Sequence, residues 1–305
     1  MNITQYSPLT RRVLTGGVLL VLLLAALFYL TPIAWACLTL LVLVAAAFEL
    51  GRLLASDHLA RFGLNVARHY RWSLPMCLMI VAGCFAWVMR DLTSAQGSKV
   101  LTFMCACYFI AAVLSVLVFP FWIRRFENNR LNISALLRGS LAATASWLLF
   151  CGWLSVIQLR SISPWLLLSM MVLVWLADSG AYFFGRTFGK NKLSPKTSPG
   201  KTREGAFGAL LVVTVYALAM TPFILPYLKA LRVLPTVAQW GVWLVAAWVL
   251  CALSIIGDLF ESLIKRIADR KDSSNLLPGH GGILDRLDSL LTTLPAAALL
   301  FCVLA

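Results

Sequence analysis

The sequence predicts an all-α, polytopic integral membrane protein with about nine transmembrane helices. Three observations predict it. The 305-residue chain is 61% hydrophobic and 12% charged, where a soluble domain carries about 25% charged residues. Apolar runs of spanning length, about 17 to 25 residues each, recur along the whole chain. The runs are continuous, as in VLLLAALFYL at 21–30, whereas a membrane barrel alternates apolar and polar residues in segments of about ten. In lipid a helix satisfies its own backbone polar groups, so continuous runs read as helices.

The expected spans, in order, are 13–30, 32–49, 73–89, 100–122, 136–157, 164–184, 206–228, 237–257 and 284–304, the third being the least apolar. Thr10-Arg11-Arg12 precedes the first run. That run is longer than the roughly 7- to 15-residue core of a signal peptide and no A-x-A site follows, so it reads as an uncleaved first span. Residues 1–160 hold about five spans. Residues 161–305 hold the rest, together with two polar loops at 185–205 and 258–288. The chain has no internal repeat.

A formal charge of +14 suggests nucleic acid, but its distribution argues against that partner. With the N-terminus in the cytoplasm, 21 of the 26 Lys and Arg flank the cytoplasmic ends of the spans. Arg90, Lys99, Arg160, Lys229 and Arg232 flank the other ends. This is the positive-inside pattern, and it supports an odd number of spans. Attraction to anionic lipid headgroups accounts for most of these charges. The eight cysteines lie within or beside apolar runs and form no CxxC, which fits packing better than disulfides or zinc.

The first polar loop, GRTFGKNKLSPKTSPGKTREG, carries six basic residues and one acid, Glu204. Gly200-Lys201-Thr202 resembles the end of a nucleotide P-loop, but that motif needs glycine five positions earlier, where Pro195 stands. Ser198 is expected to cap the seventh helix, with Pro199 in its first position. The helix start, Lys201 and Thr202 would then face an anion. A capped helix with ordinary flanking lysines is the alternative.

The second loop holds six of the twelve acidic residues between 258 and 288. Asp258, Glu261, Ser262, Lys265, Asp269 and Asp272 repeat at helical spacing on one face, so the eighth helix is expected to run past the membrane with a polar stripe. The glycine-rich turn 278–282 then leads to Asp285 and Asp288, three apart and on one face of the last helix. Both are expected to point toward the space that Asp258 can reach. One or two carboxylates with water and substrate phosphates hold Mg²⁺, and glycines let backbone N–H groups approach phosphate. With the neighbouring bases, these residues suit phosphoryl or nucleotidyl transfer. His280 is alone, which favours a substrate or structural contact over catalysis. Asp178 lies inside the sixth run, and an intramembrane carboxylate is a functional candidate by default. Glu49 reads as a helix-end partner of Arg52.

Ser262, Lys265, Arg266, Lys271, Asp272, His280, Gly281, Gly282, Asp285, Arg286 and Asp288 follow the pattern S-x-x-K-R-x4-K-D, spacer, H-G-G-x-x-D-R-x-D. On these residues the chain resembles the phosphatidate cytidylyltransferases, or CDP-diglyceride synthases. WLADSGAYFFGRTFGKNKLSPKTSPGKTREG and GDLFESLIKR also resemble that family's patterns. The resemblance is strong over 175–288 and weak before 160. It implies a bacterial inner-membrane enzyme that joins CTP and phosphatidic acid into CDP-diacylglycerol and pyrophosphate. It further implies a cavity open to cytoplasm and lipid, Mg²⁺ with room for a second ion such as K⁺, and a homodimer.

The implied roles place metal on Asp258, Asp285 and Asp288, and catalysis on Asp285, Asp288 and Lys265. Substrate contacts fall to Lys265, Arg266, Lys271, His280, Gly281, Gly282 and Arg286 on one wall. Ser198, Lys201 and Thr202 form the other, with Asp178 nearby. Two rivals remain. A CTP-dependent polyprenol kinase would yield lipid phosphate and CDP. A transporter of a phosphorylated anion would place its charge near the midplane between two repeats.

Overall fold

The structure is a computed structural model and describes residues 8–54, 83, 97–131, 135–277 and 281–304. It is helical almost throughout. The helices are α1 (Pro8–Tyr29), α2 (Pro32–Leu54), α3 (Gly97–Val113), α4 (Phe119–Glu127), α5 (Ala135–Ile162), α6 (Pro164–Phe188), α7 (Arg203–Ile224), α8 (Thr236–Ile267) and α9 (Leu284–Leu304). A π-helical turn, Leu114–Val118, joins α3 to α4 without a break. The one sheet among the described residues is a hairpin of β1 (Lys192–Ser194) and β2 (Ser198–Thr202).

The all-α membrane architecture is borne out. Seven described helices are long and apolar enough to cross a bilayer, and they coincide with seven of the nine expected runs. The first run is also helical, with Leu14–Tyr29 as its apolar part. The third run, apart from Gly83, lies outside the described residues. Leu211, Val215 and Phe223 of α7 face outward. Such a stripe would mark an interface on a soluble protein; here it is the surface expected against lipid.

Helix α9 threads the centre of the bundle, burying Leu290, Leu294, Ala297, Ala298 and Phe301 against α8, α5 and α3. Helices α6 and α7 pack most extensively. Their backbones approach closely at Gly180, Gly205 and Gly208, where an added Cβ would meet Val212, the Ala181 carbonyl and the Phe184 ring. Small residues serve membrane helices in this way. Phe119 stacks on Phe260 at 3.8 Å between ring centres and ties α4 to α8.

Helix α8 has 32 residues, about 48 Å at 1.5 Å per residue, against a hydrocarbon core of about 30 Å. That length is enough for its polar C-terminal end to run past the lipid, as the polar stripe predicts. The stripe stops earlier than expected, however. Asp269 adopts φ 55°, its N–H bonds to the Arg266 carbonyl, and Arg270 N–H bonds to the Lys265 carbonyl. This pair of bonds is a Schellman stop. It ends the helix at Ile267 and leaves Asp269 and Asp272 exposed.

Candidate active site

Two polar walls meet at one end of the bundle. The first is built from the β-hairpin and the start of α7. Glu127, the last residue of α4, anchors the hairpin turn. Its Oε1 accepts from Ser194 Oγ at 2.6 Å, Thr197 Oγ1 at 2.8 Å and Thr197 N at 2.8 Å, and its carboxylate also accepts from Lys196 N at 3.1 Å. Arg266 reaches across from α8, where its Nε donates to the Thr197 carbonyl at 3.2 Å. Arg266 is thus engaged in joining the two walls.

The expected helix start is corrected here. Ser198 pairs with Ser194 in the hairpin and lies in β2. The cap of α7 is Thr202, whose Oγ1 accepts from Gly205 N at 3.1 Å. That hydroxyl satisfies the N3 donor of a new helix, as Ser198 was expected to do. Ser198 is drawn into the ladder, and Pro199 sits in a two-stranded sheet whose edges are free, where a missing N–H costs little. Thr202 and Lys201 still open the helix, and Lys201 Nζ lies 2.6 Å from Asp258 Oδ2 on α8. Both side chains keep about a quarter of their surface accessible, 23% and 27%.

The second wall joins the end of α8 to the start of α9. Lys265 Nζ sits between two carboxylates, 2.8 Å from Asp285 Oδ1 and in direct contact with Glu261. Neither Glu261 oxygen has a hydrogen bond besides that ion pair. The other oxygen of Asp285 accepts from Gly282 N at 2.8 Å, Ser273 N at 2.9 Å and Ser273 Oγ at 2.9 Å. Bonding back to an N–H three residues earlier is the inner half of a capping box, and it satisfies a donor that the helix start leaves free. Gly281 has φ +78°, a left-handed conformation that favours glycine. Leu277 N closes the turn by donating to the Gly281 carbonyl at 2.8 Å. His280 lies outside the described residues.

Glu49 of α2 completes this wall and corrects another expectation. It does not pair with Arg52, whose guanidinium lies over the Phe48 ring. Glu49 is 3% exposed. Oε1 accepts from Ser274 Oγ at 2.6 Å and Ile283 N at 3.1 Å; Oε2 accepts from Ser273 Oγ and Leu284 N, both at 2.9 Å. The helix start offers more favourable partners than a solvated arginine, because its N–H groups are otherwise unsatisfied and carry the positive end of the helix dipole.

Between the walls, three helices each contribute an acid: Asp178 from α6, Asp258 from α8 and Asp288 from α9. They lie within electrostatic range of one another, with Lys201 and Arg286 in range of Asp178. Asp258 accepts from Ser262 Oγ at 3.3 Å, and Asp288 Oδ1 from Ser289 N at 2.7 Å. Asp178 is exposed, while Asp258 and Asp288 are partly buried. Lys271 and Arg286 are exposed and form no ion pair among the described residues.

Among the described residues, no three His, Cys, Asp or Glu side chains stand close enough to hold a metal by themselves. Mg²⁺ does not need such a cage, since it keeps water and takes one or two carboxylates along with substrate phosphate. Hard carboxylate oxygens suit that ion. Asp258 and Asp288 fit this role once Lys201, which pairs with Asp258, turns to an incoming phosphate; Asp285 has its oxygens engaged by Lys265, by Gly282 N and by Ser273.

Sequence reasoning misses Glu49, Glu127 and Ser273. Glu49 carries the same signal as Asp178, an acid inside an apolar run, but Arg52 one turn later masks it. Glu127 and Ser273 act through distant loops, and local spacing does not reveal that.

A family model described as cytidylyltransferase family matches residues 10–304. The phosphatidate cytidylyltransferase of Pseudomonas aeruginosa is 33% identical over 298 residues, 96% of each chain. That of Haemophilus influenzae is 47% identical over 130 residues, 43% of each chain. That of Bacillus subtilis is 44% identical over 129 residues, 41% of this chain and 42% of the relative. The last two alignments thus span less than half of those relatives, whereas the first is nearly end to end.

Proposed function

This chain belongs to the cytidylyltransferase family, and from that premise we propose that it transfers the cytidylyl group of CTP to phosphatidic acid, releasing pyrophosphate and forming CDP-diacylglycerol. The observation that carries this reading is the convergence of Asp178, Asp258 and Asp288, one from each of three membrane helices, beside Lys201. A lipid phosphate can enter such a site from the bilayer edge while its acyl chains stay in lipid. The proposal includes a bacterial inner membrane, with the N-terminus and both polar loops on the cytoplasmic side.

In this reading a phosphatidate oxygen attacks the α-phosphorus of CTP. A new P–O bond forms, the bond to the β-phosphate bridge breaks, and pyrophosphate leaves. The attacking oxygen is already ionised at neutral pH, so the chain must position it and offset like charge more than remove a proton. Lys201 exchanges Asp258 for a substrate phosphate. Arg286 and Lys271, both exposed, are the further bases in the second loop, and Thr202 fixes the helix start behind Lys201. Lys265 holds Asp285 and the turn at Gly281 and Gly282, whose backbone can lie against phosphate. Asp258 and Asp288 would hold Mg²⁺, with Asp285 as the third expected ligand. The ion, when bound, neutralises phosphate charge and stabilises the departing pyrophosphate.

The test is purified full-length protein with CTP, phosphatidic acid and Mg²⁺, assayed beside Asp285→Asn. CDP-diacylglycerol and pyrophosphate are expected in equal amounts from the parent. A parent that makes none, or that makes lipid phosphate and CDP, contradicts the reading. Full activity in Asp285→Asn would remove Asp285 from the metal set and leave the function standing.

A further inference from the structure

The N-terminal helices hold none of the signature residues of the two polar loops, yet one of their side chains reaches the glycine-turn wall. Glu49 is a buried carboxylate on an apolar helix, and both its oxygens are used. Four donors converge on it: the Ser273 and Ser274 hydroxyls and the Ile283 and Leu284 backbone N–H groups. Two of these are the first backbone donors of α9, so Glu49 caps that helix from a segment more than 200 residues away in sequence. Ser273 Oγ stands 2.9 Å from Glu49 Oε2 and 2.9 Å from Asp285 Oδ2. Ser273 therefore links the capping carboxylate to the acid that holds Lys265: its backbone N–H donates to Asp285 Oδ2 at 2.9 Å, which leaves its single hydroxyl proton for Glu49 Oε2. Gly282 is the second sign of a built joint, because a Cβ there would run into Ser273 Oγ and the Glu49 carboxylate. The chain is packed around this contact so closely that a methyl group does not fit.

We propose that Glu49 is a positioning residue for the transfer reaction. It fixes the start of α9 and, through Ser273, the orientation of Asp285 and Lys265. The inference rests on the cytidylyl-transfer reading for its kinetic consequence, though not for its structural one. Misplacing reacting groups by about 1 Å costs about 100-fold in rate. Glu49→Ala is therefore expected to lower kcat by about that factor and to leave KM for CTP within about threefold, because Lys201 on the other wall and Asp258 beside it are untouched. Glu49→Gln keeps the shape and one acceptor oxygen and is expected to recover about a tenth of the parent kcat. Ser273→Ala removes the bridge but leaves the cap, so a fall of about tenfold is expected. Combined with Glu49→Ala it should add almost nothing, since residues acting through one network are not additive.

The experiment measures kcat and KM for each purified full-length variant in detergent, beside hydrogen exchange of the peptide covering 273–284. Glu49→Ala is expected to speed that peptide's exchange while the α6 and α7 peptides stay at the parent rate. Parent kcat and parent exchange in Glu49→Ala would overturn the proposal. So would a fall in activity that only tracks the loss of folded protein, or an equal loss in Glu49→Gln and Glu49→Ala. If the parent makes no CDP-lipid, the function reading fails on its own, and the exchange arm still decides whether Glu49 holds this loop.

Discussion

The two lysine–carboxylate centres of the site have the same chemistry and opposite settings. Lys201–Asp258 is open, with 23% and 27% of the two side chains accessible and one ion pair between hairpin and helix. Lys265 is enclosed, with 11% of its side chain and 6% of Asp285 accessible, and a second acid, Glu261, on its other side. A partly solvated pair contributes little to stability and can exchange its partner for an incoming phosphate. A buried cation between two acids cannot leave without stranding them, so it acts as a brace. Under the proposed function, the difference gives the hairpin wall the place of substrate contact and the glycine-turn wall that of a rigid support.

The largest expected effect tests the brace. Lys265→Met leaves Glu261 buried and unpaired and strips Asp285 of its cation, a loss of about 3–5 kcal/mol. Thermal unfolding in detergent should show a large drop in melting temperature, with activity lost alongside it. Lys201→Met should separate the two quantities. Melting is expected to stay close to the parent, because a pair of this exposure contributes about 0–1 kcal/mol. Transfer should fall by about 100-fold in kcat/KM, which corresponds to about 2.7 kcal/mol of transition-state binding. If both variants melt alike, the division between open and closed centres fails.

Smaller effects refine the picture of the open wall. Glu127→Ala frees the hairpin turn from its carboxylate acceptor. About 1–3 kcal/mol of stability is at stake when buried donors lose a partner, and KM for CTP should rise several-fold with kcat less affected. Thr202→Ala removes the α7 cap at a cost of about 1 kcal/mol. Thr202→Ser should restore most of it, as a denaturation series on the three proteins would show.

Much of this division is legible in the sequence, though unevenly. The apolar runs place seven helices of spanning length because twenty or so consecutive apolar residues have few other structures open to them in lipid. The spacing of Asp258, Ser262 and Lys265 marks the polar face of α8, because a helix sets those positions by local geometry alone. Ser198 was misread for a related reason. Its local chemistry suits a helix cap, but the cross-strand partner Ser194 and the anchor Glu127 decide its conformation, and neither is a near neighbour along a helix. Asp269 likewise fits the stripe by period while a Schellman turn ends the helix before it. Glu49 is the clearest limit. Its partners lie in the last third of the chain, and only the folded bundle reveals that α2 caps α9.

The most direct test of transfer by this site uses CTP labelled in turn at its α- and γ-phosphates, with phosphatidic acid, Mg²⁺ and the purified full-length protein. The account predicts that α-label enters the lipid fraction while γ-label stays in water-soluble pyrophosphate, and that Lys201→Met slows the first without altering the partition. Entry of γ-label into lipid would contradict it, as would failure of α-label to enter lipid with folded protein.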